Sequence, residues 1–269
     1  MSRERLDLLL VRRGLLDGRE RARAAVMSGQ VYVDGRRIDK PGTQVGEDCE
    51  LEYRGGGKKY VSRGGEKLQK ALVFFGVSPD GATCLDCGAS TGGFTDCLLQ
   101  GGARRVYAVD VGYGQLAWSL RTDPRVVVME RTNIRYVTRE DVPEPVELAV
   151  IDVSFISLAL VLPAVRGLLA DGGRVVCLIK PQFEAGRGKV GKKGVVRDLE
   201  THVDVLRGFA DNAVRAGFNV QGLTFSPLKG PEGNIEYLGL LSDGDAGEAP
   251  DIRGVAMEAH LALDQEKGG

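Results

Sequence analysis

Apolar and polar residues alternate along the chain in two different ways. From residue 60 onwards, short continuous apolar runs are separated by segments in which apolar residues recur every three or four positions. Continuous runs are typical of buried strands, and the second pattern is typical of helices with one buried face. The predicted strands cover residues 83–87, 105–110, 126–130, 146–152, 174–180, 219–225 and 235–241. The predicted helices cover residues 93–100, 114–120, 157–169 and 199–216, after a first helix that ends at Phe75.

Strands that alternate with helices indicate βαβ units and a parallel sheet. We therefore expect an α/β domain of the Rossmann-like type, with a seven-stranded sheet whose last two strands form a hairpin. The chain in front of it follows a different pattern, with two helices and a few short strands. The helices lie in residues 3–15 and in a segment that ends at Gly29, and the strands at residues 31–33, 36–38 and 50–53. This pattern predicts a small N-terminal α+β unit.

Glycine-rich and charged segments separate these parts. Residues 54–59 hold three glycines, two lysines and an arginine without an apolar residue, and they predict a flexible basic linker over residues 55–61. The predicted domains are therefore residues 1–54 and 62–243. Residues 244–269 form an acidic C-terminal tail with one short helix over residues 254–264, to which we assign no function.

A turn rich in small residues follows the first strand of the larger domain. Asp86 closes the apolar run, and the spacing Gly-x-x-x-Gly-Gly then leads from Gly88 into a helix that begins near Phe94. A glycine turn at a helix N-terminus lets a ligand approach the backbone N–H groups closely. The spacing differs from the Gly-x-Gly-x-x-Gly of dinucleotide-binding proteins, which argues against an NAD-dependent oxidoreductase.

The next strand ends in an acid, Asp110, which is placed to accept hydrogen bonds from ribose hydroxyls. Together with the turn, this arrangement resembles the nucleoside-binding half of the S-adenosylmethionine (SAM) methyltransferases. In such enzymes the segment after the third strand contacts adenine, which makes Asn133 a candidate, although a turn residue is an equal alternative. The candidate residues for SAM are Asp86, Gly88, Ser90, Gly92, Phe94, Asp110, Val111 and Asn133.

Charged residues also follow the strands of the predicted sheet. Asp152 and Lys180 each come at the end of an apolar run, and Glu236 begins the last strand at the same edge. Lys67 lies near the start of the helix that precedes the first strand. Burying an ammonium group is costly unless it is paired, so the carboxylates are the expected partners of the lysines. The alternative is an ordinary ion-pair cluster without chemistry.

Composition and charge limit the possible partners. The chain has 269 residues and a net charge of −1, but residues 1–70 contain 16 lysines and arginines against 11 acids. A basic N-terminal module indicates a polyanionic partner. No apolar run approaches the ~20 residues of a membrane span, so we expect a cytoplasmic protein without membrane contact. The five cysteines and two histidines lack the spacing of a metal site, so no metal is expected.

The N-terminal unit carries a family resemblance. Its pattern Arg19-x-x-Ala22-x-x-x-Val26-x-x-Gly29, followed by a strand and Asp-Gly, resembles the RNA-binding S-four domain, named after ribosomal small-subunit protein four. Its arginines suit phosphates. Residues 185–194 hold further bases among glycines and predict a mobile loop that contacts RNA, with a solvated loop as the alternative. The candidate RNA-binding residues are Arg3, Arg5, Arg19, Arg21, Arg23, Arg36, Lys189 and Lys192.

The whole chain resembles the TlyA family, in which an S-four domain precedes an FtsJ-like ribose 2′-O-methyltransferase. Lys67, Asp152, Lys180 and Glu236 match its K-D-K-E tetrad in order and context. The resemblance implies methyl transfer from SAM to the 2′-hydroxyl of a cytidine in ribosomal RNA, free or within ribosomal subunits. Lys180 is the candidate to activate the hydroxyl, and Asp152 is expected to orient Lys180 and to lie near the SAM methyl group. Lys67 and Glu236 are expected to position the ribose.

Some questions stay open at the level of sequence. The linker has Lys58-Lys59-Tyr60-Val61 where the family has an Arg-x-Trp-Val-like tetrapeptide, which leaves the coupling of the domains open. An RNA-binding assembly factor without catalysis and a haemolysin, a label that the family has carried, are the alternative functions. The sequence does not define the target nucleotide, the substrate subunit or the oligomeric state.

Overall fold

The structure of the protein is a computed structural model. It describes residues 3–16, 18–54, 59–186, 188–191, 193–245 and 247–264. The chain divides into two compact units, Met1–Lys59 and Tyr60–Gly269. Each unit has its own hydrophobic core, so each is described by itself.

The first unit packs two helices against short antiparallel strands. Its core consists of apolar residues from both helices and from the strands, including Leu6, Leu9, Ala22, Val26 and Val31. The elements are β1 (Arg3–Arg5), α1 (Leu6–Arg12), α2 (Arg19–Met27), β2 (Val31–Val33), β3 (Arg36–Ile38), β4 (Gln44–Gly46) and β5 (Leu51–Tyr53). Strand β2 lies between β3 and β5, and β1 pairs with β4.

The start of the chain differs from the prediction of a helix over residues 3–15. Residues Arg3–Arg5 form a strand, and the helix begins only at Leu6. The strand exists because it pairs with β4, with Arg3 opposite Gly46. Strand β4 itself was not predicted from the sequence. A three-residue strand has too few residues for its alternation to be detected, and its partner is about forty positions away.

The second unit contains the predicted α/β architecture. The elements are α3 (Gly64–Phe75), β6 (Thr83–Cys87), α4 (Gly93–Gln100), β7 (Arg105–Val109), α5 (Trp118–Arg121), β8 (Val126–Met129), β9 (Val146–Ile151), α6 (Leu162–Leu168), β10 (Leu169–Ile179), α7 (Pro181–Glu184), α8 (Leu199–Arg215), β11 (Asn219–Phe225), β12 (Tyr237–Ser242) and α9 (Ile252–Asp264). Short 3-10 helices cover Ile134–Tyr136 and Leu158–Leu160.

Seven of the strands in the described ranges form one sheet with the order β11-β12-β10-β9-β6-β7-β8. The pairs from β10 to β8 are parallel, and β12 is antiparallel to both β10 and β11. This confirms the seven-stranded sheet and the hairpin of its last two strands. Helices α3 and α4 contribute to the core on one face, and α6, α8 and α9 contribute to the core on the other. Within the described residues, no helix has both the length and the apolar character needed to cross a membrane.

Three elements have bounds that differ from those predicted. The helix expected over residues 114–120 is only the short α5, because the N–H groups of Gly114 and Ala117 donate to Glu130 and to the Thr91 carbonyl instead. The helix expected over residues 157–169 is α6, preceded by a 3-10 helix. Strand β10 begins before a pair of glycines and continues after an irregularity in its pairing with β9.

The C-terminal segment contains a helix, α9, close to the predicted residues 254–264. Ala256, Ala259 and Leu263 on this helix are buried in the same core as α8. The limits of the domains that we predicted at residues 54, 61 and 243 stay predictions.

Candidate active site

The candidate site lies where the order of the parallel strands reverses. Strands β6 and β9 are neighbours in the sheet, and the amide of Asp152 donates to the Cys87 carbonyl at 2.9 Å. Gly88 follows with a φ of +88°, and a Cβ at this position would lie 2.6 Å from the carbonyl oxygen of Asp152. Only glycine fits so close an approach with that backbone conformation. Ligands of open α/β sheets bind at this position.

Hydrogen bonds fix the turn after β6 and the end of β7 to each other. The amides of Gly88 and Ala89 donate to the Val109 carbonyl. The carboxylate of Asp110 accepts from the Ser90 amide at 2.8 Å and from the Gly112 amide at 2.7 Å. Asp110 is therefore held at the strand end in one orientation.

Two cavities adjoin this turn. The larger, which we call the turn cavity, has about 280 Å³ and includes the predicted residues Gly88, Ser90, Asp110, Val111 and Asn133 in its wall. Asn133 also accepts a hydrogen bond from the amide of Arg135, so it is both a turn residue and part of the cavity wall.

The smaller cavity, which we call the helix cavity, has about 230 Å³ and lies between the turn and the start of α3. It includes the predicted Phe94 and shares Gly88, Ser90 and Asp152 with the turn cavity. Because the two cavities share wall residues, together they offer an elongated space along the turn.

The structure brings neither Asp86 nor Gly92 to the described walls of these cavities. Asp86 is completely buried, and its carboxylate accepts a hydrogen bond from the Thr95 hydroxyl at 2.7 Å. Burial raises the pKa of Asp86 to about 7, and the hydrogen bond from Thr95 opposes that rise. Gly92 precedes the first residue of α4, has a φ of +96° and packs against the side chain of Leu120. Both residues lie within the framework of the turn.

The four candidate catalytic residues line one cavity of about 580 Å³, which we call the lysine cavity. Lys67 lies 2.5 Å from Glu236, and Lys180 lies 2.6 Å from Asp152. Lys180 also donates to the hydroxyl of Ser154 at 3.0 Å. Residues from four separate elements or loops therefore form two ion pairs around one space.

The pair of Lys67 and Glu236 is the more deeply buried of the two. Glu236 is 1% exposed and Lys67 is 8% exposed. Burial raises the pKa of Glu236, and the positive charge of Lys67 acts against that rise. An ion pair removed from water this far resists screening by salt and holds its partners in a defined geometry.

The three cavities meet at Asp152. This residue lines all of them, and Lys67 lines both the helix cavity and the lysine cavity. A molecule bound along the turn and a second molecule in the lysine cavity would therefore approach each other beside Asp152. Such an arrangement suits the transfer of a small group between two bound molecules.

Sequence reasoning assigned no role to two aromatic residues in the wall of the lysine cavity. Phe155 is 90% exposed and has a φ of +64°, and its ring centroid lies 5.0 Å from that of Phe183. A bulky residue in the left-handed region is uncommon and often marks a functional site. The available signal was the position of Phe155, four residues after Ile151 at the end of a buried strand.

The candidate RNA-binding arginines of the first unit fall into two groups. Arg5 and Arg19 both donate to Asp7, a completely buried carboxylate, at 2.9 and 3.2 Å. These contacts lower the pKa of Asp7, with Arg5 as the larger cause, and they tie both arginines to the core. The second group consists of arginines that are exposed, as Arg19 also is: Arg3, Arg21, Arg23 and Arg36.

The predicted basic loop after α7 is described only in part. Lys189 forms an ion pair with Asp204 on α8 at 2.8 Å, and Lys192 lies outside the described residues. Val190 and Gly194 belong to the wall of the lysine cavity. The described part of the loop therefore lies beside the candidate catalytic residues.

Comparisons with known proteins match both units. The sequence pattern of the FtsJ-like methyltransferase family matches residues 60–242, and that of the S4 (S-four) domain matches residues 4–50. A solved structure of a protein from Streptococcus thermophilus superimposes with a TM-score of 0.78, at 47% identity, and covers 100% of both chains.

Two curated relatives have names that describe different properties. The 16S/23S rRNA (cytidine-2′-O)-methyltransferase TlyA of Mycobacterium tuberculosis (strain ATCC 25618 / H37Rv) is 46% identical, over 98% of this chain and 98% of the relative. Hemolysin A of Brachyspira hyodysenteriae is 42% identical, over 87% of this chain and 98% of the relative. The chain is therefore similar to both along nearly their whole lengths.

Proposed function

This chain belongs to the FtsJ-like methyltransferases, in the form that carries an N-terminal S4 domain, and we propose that it methylates a ribose 2′-hydroxyl in ribosomal RNA. The methyl donor is SAM, and the modified nucleotide is a cytidine, as the name of the mycobacterial relative suggests. The observation that carries the proposal is the arrangement of two lysine–carboxylate pairs in the wall of one cavity beside the glycine turn.

The residues along the turn fit SAM. Each oxygen of the Asp110 carboxylate accepts one backbone N–H, which leaves lone pairs for two ribose hydroxyls. Gly88 gives the ligand room at the switch point, and Phe94 and Asp152 border the helix cavity. When bound, SAM supplies a methyl group that its sulfonium already activates. We assign Asp86 and Gly92 a supporting role within the framework of the turn.

Lys180 is the residue to which we assign activation of the 2′-hydroxyl. A ribose hydroxyl is a poor nucleophile near neutral pH, so a group that removes its proton accelerates the reaction. Asp152 and Ser154 orient the Lys180 nitrogen at the wall of the lysine cavity. Lys180 acts in this step as the free amine, after its ammonium proton has passed to water. The amine accepts the hydroxyl proton as the oxygen bonds to the methyl carbon, and the Asp152 carboxylate stabilises the ammonium that forms again.

Lys67 and Glu236 position the ribose in this scheme. Their pair is buried; Lys67 lines both the helix cavity and the lysine cavity, and Glu236 lines the lysine cavity. A rigid donor and acceptor hold the sugar hydroxyls in line with the donor methyl group, which lowers the entropic cost of the reaction.

Phe155 is proposed to stack on a base of the RNA. Its ring is exposed at the edge of the lysine cavity and is supported from one side by Phe183. Sequence-specific RNA recognition commonly uses unstacked bases that pack against such rings. The strained backbone at Phe155 is consistent with a side chain held out for this contact.

The S4 domain is proposed to bind ribosomal RNA or a ribosomal subunit through its exposed arginines. Arg3, Arg21, Arg23 and Arg36 are exposed on its surface, and Arg5 and Arg19 donate to Asp7. Lys189 can join the RNA contact only by leaving Asp204. Because its substrate is ribosomal, we propose that the protein acts in the cytoplasm, without a membrane.

The proposal is tested by transfer of labelled methyl groups from SAM to separated ribosomal subunits. Lys180→Ala and Lys180→Arg are expected to lower kcat by about 10²–10⁴-fold, since neither side chain accepts a proton at neutral pH. Lys70→Ala is the matched control on α3, because Lys70 packs over the Phe225 ring and does not line the three cavities. Its kcat should stay close to that of the wild type.

Alkali resistance of the label at one ribose identifies the 2′-oxygen as the acceptor. Full activity of Lys180→Ala would transfer the role of base to Lys67. Absence of label from every subunit, while calorimetry still detects SAM binding, would favour an RNA-binding protein without catalysis.

A further inference from the structure

A fourth cavity adjoins the lysine cavity and has no role in the function proposed above. It has about 460 Å³, and we call it the histidine cavity. Glu232 lines both cavities. The residues in its wall are Val195, Val196, Arg197, Lys229, Glu232, Gly233, Ile235 and His260.

The partition between the two cavities is fixed by a buried asparagine. Asn234 is 1% exposed, and its side chain accepts from the Val196 amide and donates to the Gly194 carbonyl, both at 2.9 Å. Its own carbonyl accepts from the Gly230 amide at 2.9 Å. The segment before α8 and the loop before β12 are therefore joined, so the two cavities keep a constant relation to each other.

The histidine side of this partition is rich in basic groups. Arg197 and Lys229 line the cavity, and within the described ranges Arg197 takes part in no ion pair. Glu232 is the single carboxylate among the described wall residues. A guanidinium and an ammonium at one cavity suit a phosphate, since arginine binds it in a bidentate way and lysine adds a point charge.

His260 is held at the wall by a buried network. Its Nε2 lies 3.1 Å from Nδ1 of His202, which in turn lies 2.7 Å from the Tyr237 hydroxyl. Nε2 of His202 contacts the Val196 carbonyl at 3.1 Å. Because His202 is completely buried, α9 presents the His260 ring in a defined position.

We propose that the histidine cavity binds the phosphate of an RNA nucleotide next to the methylated one. The proposal rests on the proposed function, because it assumes that a ribose occupies the lysine cavity. An RNA strand that leaves the lysine cavity passes Glu232, which lines both cavities, and brings its next phosphate to Arg197 and Lys229. His260 borders the same space and adds a donor. The C-terminal helix thereby acquires a role in binding the substrate.

The first test measures methyl transfer to ribosomal subunits as a function of subunit and salt concentration. Arg197→Ala and Lys229→Ala are expected to raise KM about ten-fold each and to leave kcat at saturation close to the wild-type value. Loss of one phosphate contact also reduces the slope of log KM against log salt by about one. Arg207→Ala on α8 removes an exposed charge outside the cavity and should change neither quantity.

A wild-type KM and salt slope in both variants would overturn the inference and leave the proposed function intact. An inactive wild-type protein would instead count against the proposed function, so the second test does not depend on catalysis. The chain contains only two histidines, which makes their ring signals easy to assign in a nitrogen-15 spectrum.

That second test titrates the full chain with inorganic phosphate. We expect a saturable shift of the His260 ring signals in the wild type and in Arg207→Ala, and its loss in Arg197→Ala. No shift in the wild type, or an equal shift in Arg197→Ala, would overturn the site. A phosphate-dependent shift combined with unchanged KM values would show a site for free phosphate, which overturns the assignment to RNA.

Discussion

Two buried carboxylates of the second unit have opposite surroundings at the scale of single residues. Glu236 faces the ammonium group of Lys67, whereas Asp86 accepts hydrogen bonds from Thr95 and has no cationic partner within the described residues. One oxygen of Asp86 has no hydrogen-bond partner within the described part of the chain. A buried charge without a cationic partner is costly, so Asp86 takes up a proton far more readily than an exposed aspartate.

This difference predicts how stability depends on pH. Burial raises the pKa of Asp86 from 3.8 to about 7, so between these values the folded state holds a proton that the unfolded state has lost. The contribution of Asp86 is therefore fully favourable below about pH 4 and is lost as the pH rises towards 7, by about 1 kcal/mol per pH unit.

Asp86→Asn keeps the acceptor for Thr95 and removes the ionisation. We expect the free energy of unfolding of the variant, relative to that of the wild type, to increase between pH 5 and pH 7 and then to level off above pH 7. Urea unfolding of both proteins at four pH values, in the absence of SAM, measures this difference in the free energy of unfolding. A difference that stays constant with pH would contradict the pKa assigned to Asp86.

At the scale of elements, the C-terminal helix has the clearest structural role beyond the predicted sheet. Ala256, Ala259 and Leu263 pack into the core that α8 shares with the sheet, and His260 contacts His202 on α8. The small side chains at Ala256 and Ala259 allow the close approach of α9, so the helix acts as part of the fold of the second unit.

A pair of substitutions on α9 tests this role. Ala259→Asp places a carboxylate at a position that is 0% exposed, and Leu261→Asp makes the same kind of change at a position that is 62% exposed. We expect Ala259→Asp to lower the free energy of unfolding by about 3 kcal/mol, because the new charge has no partner in the core. Leu261→Asp should change it by less than about 0.5 kcal/mol. Denaturant unfolding compares the two, and equal effects would show that α9 does not pack as described.

At the scale of the whole molecule, two units with separate cores divide the proposed work. The first carries exposed arginines, and the second carries the cavities. Contacts with phosphates supply affinity that does not depend on base sequence, whereas the lysine cavity acts on one ribose. Substitutions in the first unit should therefore change binding of the substrate and leave binding of SAM unaltered.

The double variant Arg23→Ala/Arg36→Ala of the full chain tests this division. We expect its KM for ribosomal subunits to rise at least ten-fold, and the slope of log KM against log salt concentration to fall by about two. Its kcat and its Kd for SAM should stay the same. Arg5→Ala is the contrasting variant. It removes a partner of the buried Asp7, so it should lower thermal stability as well. An unchanged KM in the double variant would assign RNA binding to other residues.

The sequence alone was sufficient to predict the elements whose pattern is local and long. The seven strands of the large sheet, the glycine turn after β6 and the identities of the four charged residues were all apparent in it. The reason is physical. Burial on both faces demands a continuous apolar run, and a tight turn with a positive φ, such as that at Gly88, favours glycine.

Tertiary contacts decided the rest. Lys67 and Glu236 are 169 residues apart in the sequence. No local pattern specifies that these two residues form an ion pair and that Lys180 forms one with Asp152. Strand β1 exists because β4 lies beside it. Asp86 is buried beneath the glycine turn, where the hydroxyl of Thr95 donates a hydrogen bond to its carboxylate. Partners distant in sequence are selected by packing and by the satisfaction of buried polar groups, and these depend on the complete fold.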